Sequence, residues 1–234
     1  MDLAAAYLDG RDRFAALVAT ADAGTTVPLT PDWRVRDVLA HLVGVAEDLV
    51  AGGLPDFSEP KTKPEQAVAR EEWTAAQVGR RRDWPVARLL AHWTAMEAGL
   101  VAALADERIS VASRAAAPYD VACHLHDVRH AVGHPGDRDA PVTRLAFGVA
   151  RAWLGNRLAT LGLGPLRLSA GEREWTLGDG EPVATVSGPA FELFRAVSGR
   201  RSRAQLLALD WTGDAAAYLD VLSPYPLPDF PVVE

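Results

Sequence analysis

Four of the six histidines fall between positions 124 and 134, in a stretch that also carries Asp120 and Asp127. On an α-helix Asp120, His124 and Asp127 are separated by steps of four and three residues, so their side chains share one face. A carboxylate and an imidazole one turn apart can hold a single cation, because both offer lone pairs toward the same point. The pair needs a third donor from elsewhere in the chain. His41 is the expected one, since it lies among Val38, Leu39, Leu42 and Val45, where an unpartnered imidazole is costly to bury. The alternative is hydrogen bonding without a metal, with His41 a satisfied core histidine and Asp120 with His124 a surface pair. A second stripe, His126, His130 and His134, also repeats at four-residue steps, but His134 lies past the helix stop expected at Gly133. That stripe ranks second. Cys123 is the single cysteine, which excludes an internal disulfide and any multi-cysteine zinc site. Its expected state is a buried, inert thiol.

The elements that carry these residues are legible from apolar spacing. Leu3, Ala6, Tyr7, Phe14, Leu17 and Val18 mark a first helix. Gly24 to Pro31 breaks the chain, and Thr30-Pro31-Asp32 offers N-cap and first-turn chemistry for a helix from Trp33 to Val50, stopped by Gly52-Gly53. Residues 54–63 read as a surface loop. A more polar helix is expected from Pro64 to Val78, a long one from Pro85 to Ala105, one starting at Pro118 and ending at Gly133, and a last from Val142 to Leu161. Antiparallel helices with such short connections amount to a bundle. After Gly162, three short strands are expected at Leu166 to Leu168, Glu174 to Leu177 and Val183 to Val186, with turns at Ala170-Gly171 and Asp179-Gly180. Helical spacing returns at Phe191 to Val197 and Leu206 to Leu209. The expected organisation is mostly α: a four-helix bundle over residues 1–163, then a small α+β domain over 164–234 with a proline-rich tail.

Composition narrows the function classes. At 234 residues and 49% hydrophobic, the chain is too apolar for disorder and long enough for a sizeable core. A net charge of −7 argues against nucleic acid as a partner, which needs a positive face. No apolar run approaches the ~20 residues of a membrane helix, and the first residues lack the layout of a signal peptide. The expectation is a cytoplasmic protein, monomer or homodimer, acting on a small molecule.

Trp33-Arg34-Val35-Arg36-Asp37-Val38-Leu39-Ala40-His41-Leu42 resembles the N-terminal signature of the mycothiol-dependent maleylpyruvate isomerase family, whose bundle is DinB-like. The family's second signature, Glu-x-x-x-His-x-x-Asp-x-Arg-x-x-x-Gly, is matched in register by Asp120, His124, Asp127, Arg129 and Gly133, with aspartate in place of the usual glutamate. Aspartate is one methylene shorter, so weaker or geometrically altered metal binding is expected. The segments Gly188 to Phe194, Gly199-Arg200-Arg201-Ser202 and Leu209 to Asp214 are similar to the family's C-terminal region.

The resemblance implies a divalent ion, zinc by preference, held by His41, Asp120 and His124 with an open position. Mycothiol, or another low-molecular-weight thiol, would bind there as its thiolate and attack an unsaturated or electrophilic small molecule, as isomerase or as S-transferase. Asp127 would orient a ligand histidine from behind, by accepting its remaining N–H. Arg200 resembles the family's functional arginine and would grip a substrate carboxylate. Two other readings stand beside this: a non-catalytic small-ligand binding protein on the same fold with a degenerate metal site, and a metal enzyme that no longer uses thiols.

Overall fold

The computed structural model describes residues 2–55 and 64–234. Helix α1 (Leu3–Thr20) opens on Asp2, whose side chain accepts from the amides of Ala4 and Ala5, and buries Tyr7, Phe14, Leu17 and Val18. A hairpin follows, β1 (Thr26–Val27) with β2 (Thr30–Arg34), where a helix cap is expected from the sequence. The β-branched Thr25, Thr26, Val27 and Thr30 favour extended backbone there. Helix α2 (Val35–Val50) therefore starts two residues later than expected, capped by Asp37, whose carboxylate accepts from the Arg34 amide at 3.0 Å.

Helix α3 (Pro64–Arg80) matches the expected polar helix; most of the expected loop before it, residues 56–63, lies outside the described residues. The long helix expected from Pro85 to Ala105 is divided into α4 (Val86–Ala95) and α5 (Glu97–Ala105). At the break the Met96 amide reaches back to Trp93 O, three residues earlier, and the Thr94 hydroxyl donates to Leu90 O at 3.0 Å. Both bonds bend a helix by competing with its regular ladder.

Helix α6 (Val111–Val132) corrects the reading of Pro118 as a first-turn residue: Pro118 lies inside the helix. The start is Ser110, whose hydroxyl accepts from the Ser113 amide at 3.1 Å, and the run Ala115-Ala116-Ala117 favours helix strongly enough to carry the proline. Its end is as expected. Gly133 adopts a left-handed conformation, φ 66°, and the His134 amide closes the cap on Arg129 O. Helix α7 (Pro141–Thr160) completes the helical series of this half. Helix α1 packs on α6, and α2 packs on α3, α4, α5 and α6.

The chain divides into two compact units, Met1–Ala146 with Glu234 and Phe147–Val233, so α7 contributes to both, while the change from helical to strand texture comes after it. At the centre of the first unit the Trp93 ring meets Tyr7 and Phe14 edge-on at 6.4 and 6.0 Å, and its indole N–H donates to the Tyr7 hydroxyl at 2.8 Å. All three side chains are buried.

The second unit holds a four-stranded sheet of order β4-β3-β5-β6, built from β3 (Leu166–Ala170), β4 (Arg173–Leu177), β5 (Ala184–Ser187) and β6 (Asp210–Gly213). Strands β3 and β4 form the expected hairpin, but β5 pairs parallel to β3 and β6 antiparallel to β5. Strand β6 is not among the expected strands; the helix read across Leu206 to Leu209 ends at Leu207 as α9 (Arg203–Leu207). Between β5 and α9 runs α8 (Ala190–Val197), packed on β3, and after β6 comes α10 (Ala216–Leu219). No described helix is long and apolar enough to cross a membrane.

Candidate metal centre

The structure brings His41, Asp120 and His124 together. One ligand atom from each lies within 4.8 Å of the other two, and this is the one such group of histidine, cysteine and carboxylate residues among the described residues. His41 comes from the middle of α2; Asp120 and His124 come from successive turns of α6, which packs against it. His41 Nε2 is 2.9 Å from Asp120 Oδ2, and His124 Nε2 is 3.6 Å from Asp120 Oδ1. Two atoms each ligating zinc at about 2.0–2.2 Å stand roughly 3–4 Å apart, so the 3.6 Å spacing suits a shared ion, while the 2.9 Å one is a hydrogen-bond distance just short of that range. The shorter acid thus comes within 4 Å of both imidazoles.

The two imidazoles are buried, at 3% and 7% side-chain exposure, while Asp120 is 28% exposed, so the carboxylate is the solvent-facing member of this group. The rings stand nearly perpendicular at 5.3 Å. Trp33, at the end of β2, lies against both, 5.0 Å from the His41 ring and 6.2 Å from His124, and Trp73 meets His41 edge-on at 6.3 Å. Aromatic walls on both sides restrict rotation of the imidazoles.

Each histidine has a partner on its far nitrogen. His124 Nδ1 is 3.2 Å from Asp127 Oδ2, a fully buried carboxylate, in an ion-pair contact bent away from ideal hydrogen-bond geometry. His41 Nδ1 is 2.7 Å from Gln77 Oε1. Both contacts leave Nε2 directed at Asp120. A carboxylate or amide oxygen on the far side of a ligand histidine is the ordinary support of a metal-bound imidazole. With Nδ1 carrying the hydrogen, His41 Nε2 and Asp120 Oδ2 present lone pairs to each other, and only a proton or a cation between them makes that favourable. The donor set fits a divalent ion.

Tyr7 senses the same carboxylate. Burial holds its hydroxyl proton far above the ordinary phenol range; the Trp93 hydrogen bond and Arg11 offset part of that, and the Asp120 charge adds to it.

The other candidates read from the sequence fall elsewhere. His126 is buried and pairs with the Thr143 hydroxyl at 3.0 Å, while His134 lies past the helix end, so the second stripe does not gather. Cys123 is buried. Arg200, in the second unit, is partly exposed; it donates to Ser198 O at 2.6 Å and lies 5.5 Å from the Tyr225 ring centroid. Its neighbour Arg201 is buried and forks onto Glu192 at 2.7 and 3.1 Å. The turn Gly199-Arg200-Arg201-Ser202 thus holds one buried and one partly exposed arginine.

Sequence reasoning misses Asp48, Trp73 and Gln77 altogether and does not use Trp33 as a site residue. Trp73, Gln77 and Arg81 recur at four-residue steps, a stripe that places them on one side of the chain. That spacing is the available signal.

Residues 5–128 match the family described as "Mycothiol maleylpyruvate isomerase N-terminal domain", a span that contains all three clustered donors and Asp127. No curated protein sequence matches the chain. Among solved structures, the chain is similar to the mycothiol-dependent maleylpyruvate isomerase, at 15% identity and TM-score 0.54, over 85% of this chain and 88% of that one. A second, described as a histidine-to-alanine mutant of that enzyme, matches at 14% identity and TM-score 0.52, with the same coverage. These likenesses show a shared fold, and the match across more than half of the sequence shows that this chain belongs to the mycothiol maleylpyruvate isomerase N-terminal domain family.

Proposed function

We propose that the protein is a metal- and thiol-dependent enzyme, an isomerase or S-transferase acting on a small unsaturated carboxylic acid. The observation that carries this reading is the convergence of His41, Asp120 and His124, with both imidazole Nε2 atoms turned toward one carboxylate. A divalent ion bound there, zinc by preference for mixed imidazole and carboxylate donors, supplies positive charge that keeps a thiol such as mycothiol ionised near neutral pH.

The chain's own residues hold that arrangement in place. The charge of Asp127, 3.2 Å from His124 Nδ1, favours hydrogen on that nitrogen, and Gln77 accepts from His41 Nδ1, so both Nε2 atoms are offered to the ion. Trp33 and Trp73 fix the ring planes, and the exposed edge of Asp120 leaves a path for thiol and substrate. The absence of any second cysteine is consistent with a nucleophile supplied by a soluble thiol. The proposed chemistry is addition of the thiolate sulfur to a carbon–carbon double bond conjugated with a carbonyl, which leaves a single bond free to rotate. Expulsion of the thiol then restores the double bond in the other geometry; a transferase keeps the thiol attached. Arg200 is the proposed partner of the substrate carboxylate, because a planar guanidinium pairs with both of its oxygens. A reducing cytoplasm, where such a thiol persists, is the proposed location.

Elemental analysis of the purified chain, with thiol-dependent cis-to-trans isomerisation of maleylpyruvate as the activity, tests this reading. One divalent ion per chain, lost in His41→Ala and His124→Ala, is the expected result, with turnover only when ion and mycothiol are both present. A wild-type chain that takes up no ion overturns it. Arg200→Ala should raise KM for carboxylate substrates by about tenfold or more and leave the ion content unchanged.

A further inference from the structure

The polar face of α3 does more than dock a surface helix. Trp73 and Gln77 on α3 and Arg81 just past its end, at four-residue steps, each bond to α2: Trp73 Nε1 donates to Asp48 Oδ2 at 2.8 Å, Gln77 Nε2 donates to the same oxygen at 2.8 Å, and Arg81 pairs with Glu47. Gln77 is fully buried. An amide offers an N–H₂ at one end and an oxygen at the other, and which end faces which neighbour is decided by those neighbours. An ionised carboxylate only accepts, and Asp48 already takes the donor-only indole of Trp73. Gln77 must therefore give its nitrogen to Asp48 and its oxygen to His41 Nδ1, 2.7 Å away. An amide oxygen only accepts, so Nδ1 of His41 must carry a hydrogen, and the 2.9 Å contact of Nε2 with Asp120 is completed by a second proton on the ring or, in its place, by a cation.

The backbone is shaped around the same contact. A Cβ on Gly44 would stand 2.7 Å from Gln77 Cβ, 2.8 Å from its Cγ and 2.9 Å from Arg81 Nη1. Glycine inside a helix costs about 1 kcal/mol against alanine, and here it admits α3 close enough for Gln77 to reach the ring one turn before it.

We propose that Gln77, oriented by Asp48, is a positioning residue that selects the Nδ1–H tautomer of His41 and so presents Nε2 as a metal ligand. The role in metal binding rests on the metal-centre reading above; the hydrogen on Nδ1 follows from the bonds that run from Asp48 through Gln77 to His41. In the relay, no proton or electron is transferred: the carboxylate sets the amide, the amide sets the imidazole, and the imidazole offers its lone pair.

Two readouts on the full chain test this. The first is the His41 tautomer in the metal-free protein, read from long-range nitrogen–proton NMR correlations at mildly alkaline pH. The second is affinity for Co²⁺, followed by its visible absorption. The wild type should carry hydrogen on Nδ1. Gln77→Met, which keeps the volume and removes the acceptor, should shift His41 toward the Nε2–H form and weaken Co²⁺ binding by about 10–100-fold. Asp48→Asn, whose carbonyl still accepts from Trp73 and Gln77, should preserve the tautomer and stay near wild-type affinity. Asp48→Leu should behave as Gln77→Met, and unchanged far-UV circular dichroism confirms that each variant is folded. An Nε2–H tautomer in the wild type, or the wild-type tautomer retained in Gln77→Met, overturns the positioning role. A wild type that fails to bind Co²⁺ yet shows Nδ1–H, shifted in Gln77→Met, overturns the metal reading and sustains the relay.

Discussion

Two helix junctions in the first unit are equally tight and differently made. Where α1 meets α6 and the start of α7, a Cβ on Gly10 would stand 2.9 Å from Val121 Cγ1 and 2.7 Å from Val142 Cγ2. Where α2 meets α3, a Cβ on Gly44 would stand 2.7 Å from Gln77. The first junction is surrounded by buried apolar groups such as Phe14 and Val18; the second is surrounded by hydrogen bonds that run from Trp73, Gln77 and Arg81 to Asp48, His41 and Glu47. Apolar contact is proportional to area and nearly indifferent to direction, so it determines how firmly helices hold. Hydrogen bonds are directional, so they determine where particular atoms stand. The side of α2 that carries His41 toward the site is accordingly the side fixed by polar contacts.

Substitutions can separate the two kinds of junction. The largest contrast is between Phe14→Ala and His124→Ala. Phe14→Ala should cost about 3–5 kcal/mol of folding stability, read by denaturant unfolding, with cation affinity per folded molecule retained. His124→Ala should reverse the pattern, lowering cation affinity by about a hundredfold or more in a titration while the unfolding midpoint moves little. Next come the glycines. Gly10→Ala and Gly44→Ala should each destabilise by roughly 1–3 kcal/mol through overpacking, but only Gly44→Ala should also weaken Co²⁺ binding, by about tenfold, because it displaces Gln77. Equal affinities in the two variants would show that the polar junction positions the site no better than the apolar one.

Tyr7→Phe sharpens the comparison from within the apolar core, since it leaves the buried Trp93 N–H without its acceptor. A loss of about 1–2 kcal/mol is expected, together with loss of the alkaline destabilisation that Tyr7 contributes. Burial raises its folded pKa, so its neutral form stabilises the fold at ordinary pH, and that contribution fades as pH rises above the usual phenol range. The smallest effect belongs to Asp106 on the loop between α5 and α6. Its hydrogen bond from the Arg108 side chain brings its carboxyl down from 3.8 to about 2. A lowered folded pKa stabilises above the ordinary value and is lost as pH falls from there toward about 2. Asp106→Asn should therefore flatten the melting temperature against pH slightly within that window and nowhere else.

Asp120, His124 and Asp127 are readable as one face because helical periodicity, once α6 is assigned, fixes their relative direction without any tertiary knowledge. His41 is readable for a different reason, as a polar ring embedded in an apolar stripe. The start of α6 is not, because a proline ordinarily marks a first turn and only the cap at Ser110 with the alanines after it reveals that Pro118 is interior. Strand β6 and the parallel pairing of β5 with β3 also escape, since strand partners are chosen by the whole sheet. Gln77 is the most instructive omission. Its helix reads as solvated, and only the close approach at Gly44 turns that polar residue inward.

From residue order alone came the helical half, the strand-bearing half and the presence of two imidazoles and an acid suited to a cation, because short-range periodicity and side-chain chemistry are local properties. Folding in three dimensions decided that His41 meets Asp120 and His124, which nitrogen of His41 faces them, and that Asp48 and Gln77 stand behind it. Distances between groups 36 or 79 positions apart along the chain follow from how helices pack, and no local pattern encodes them.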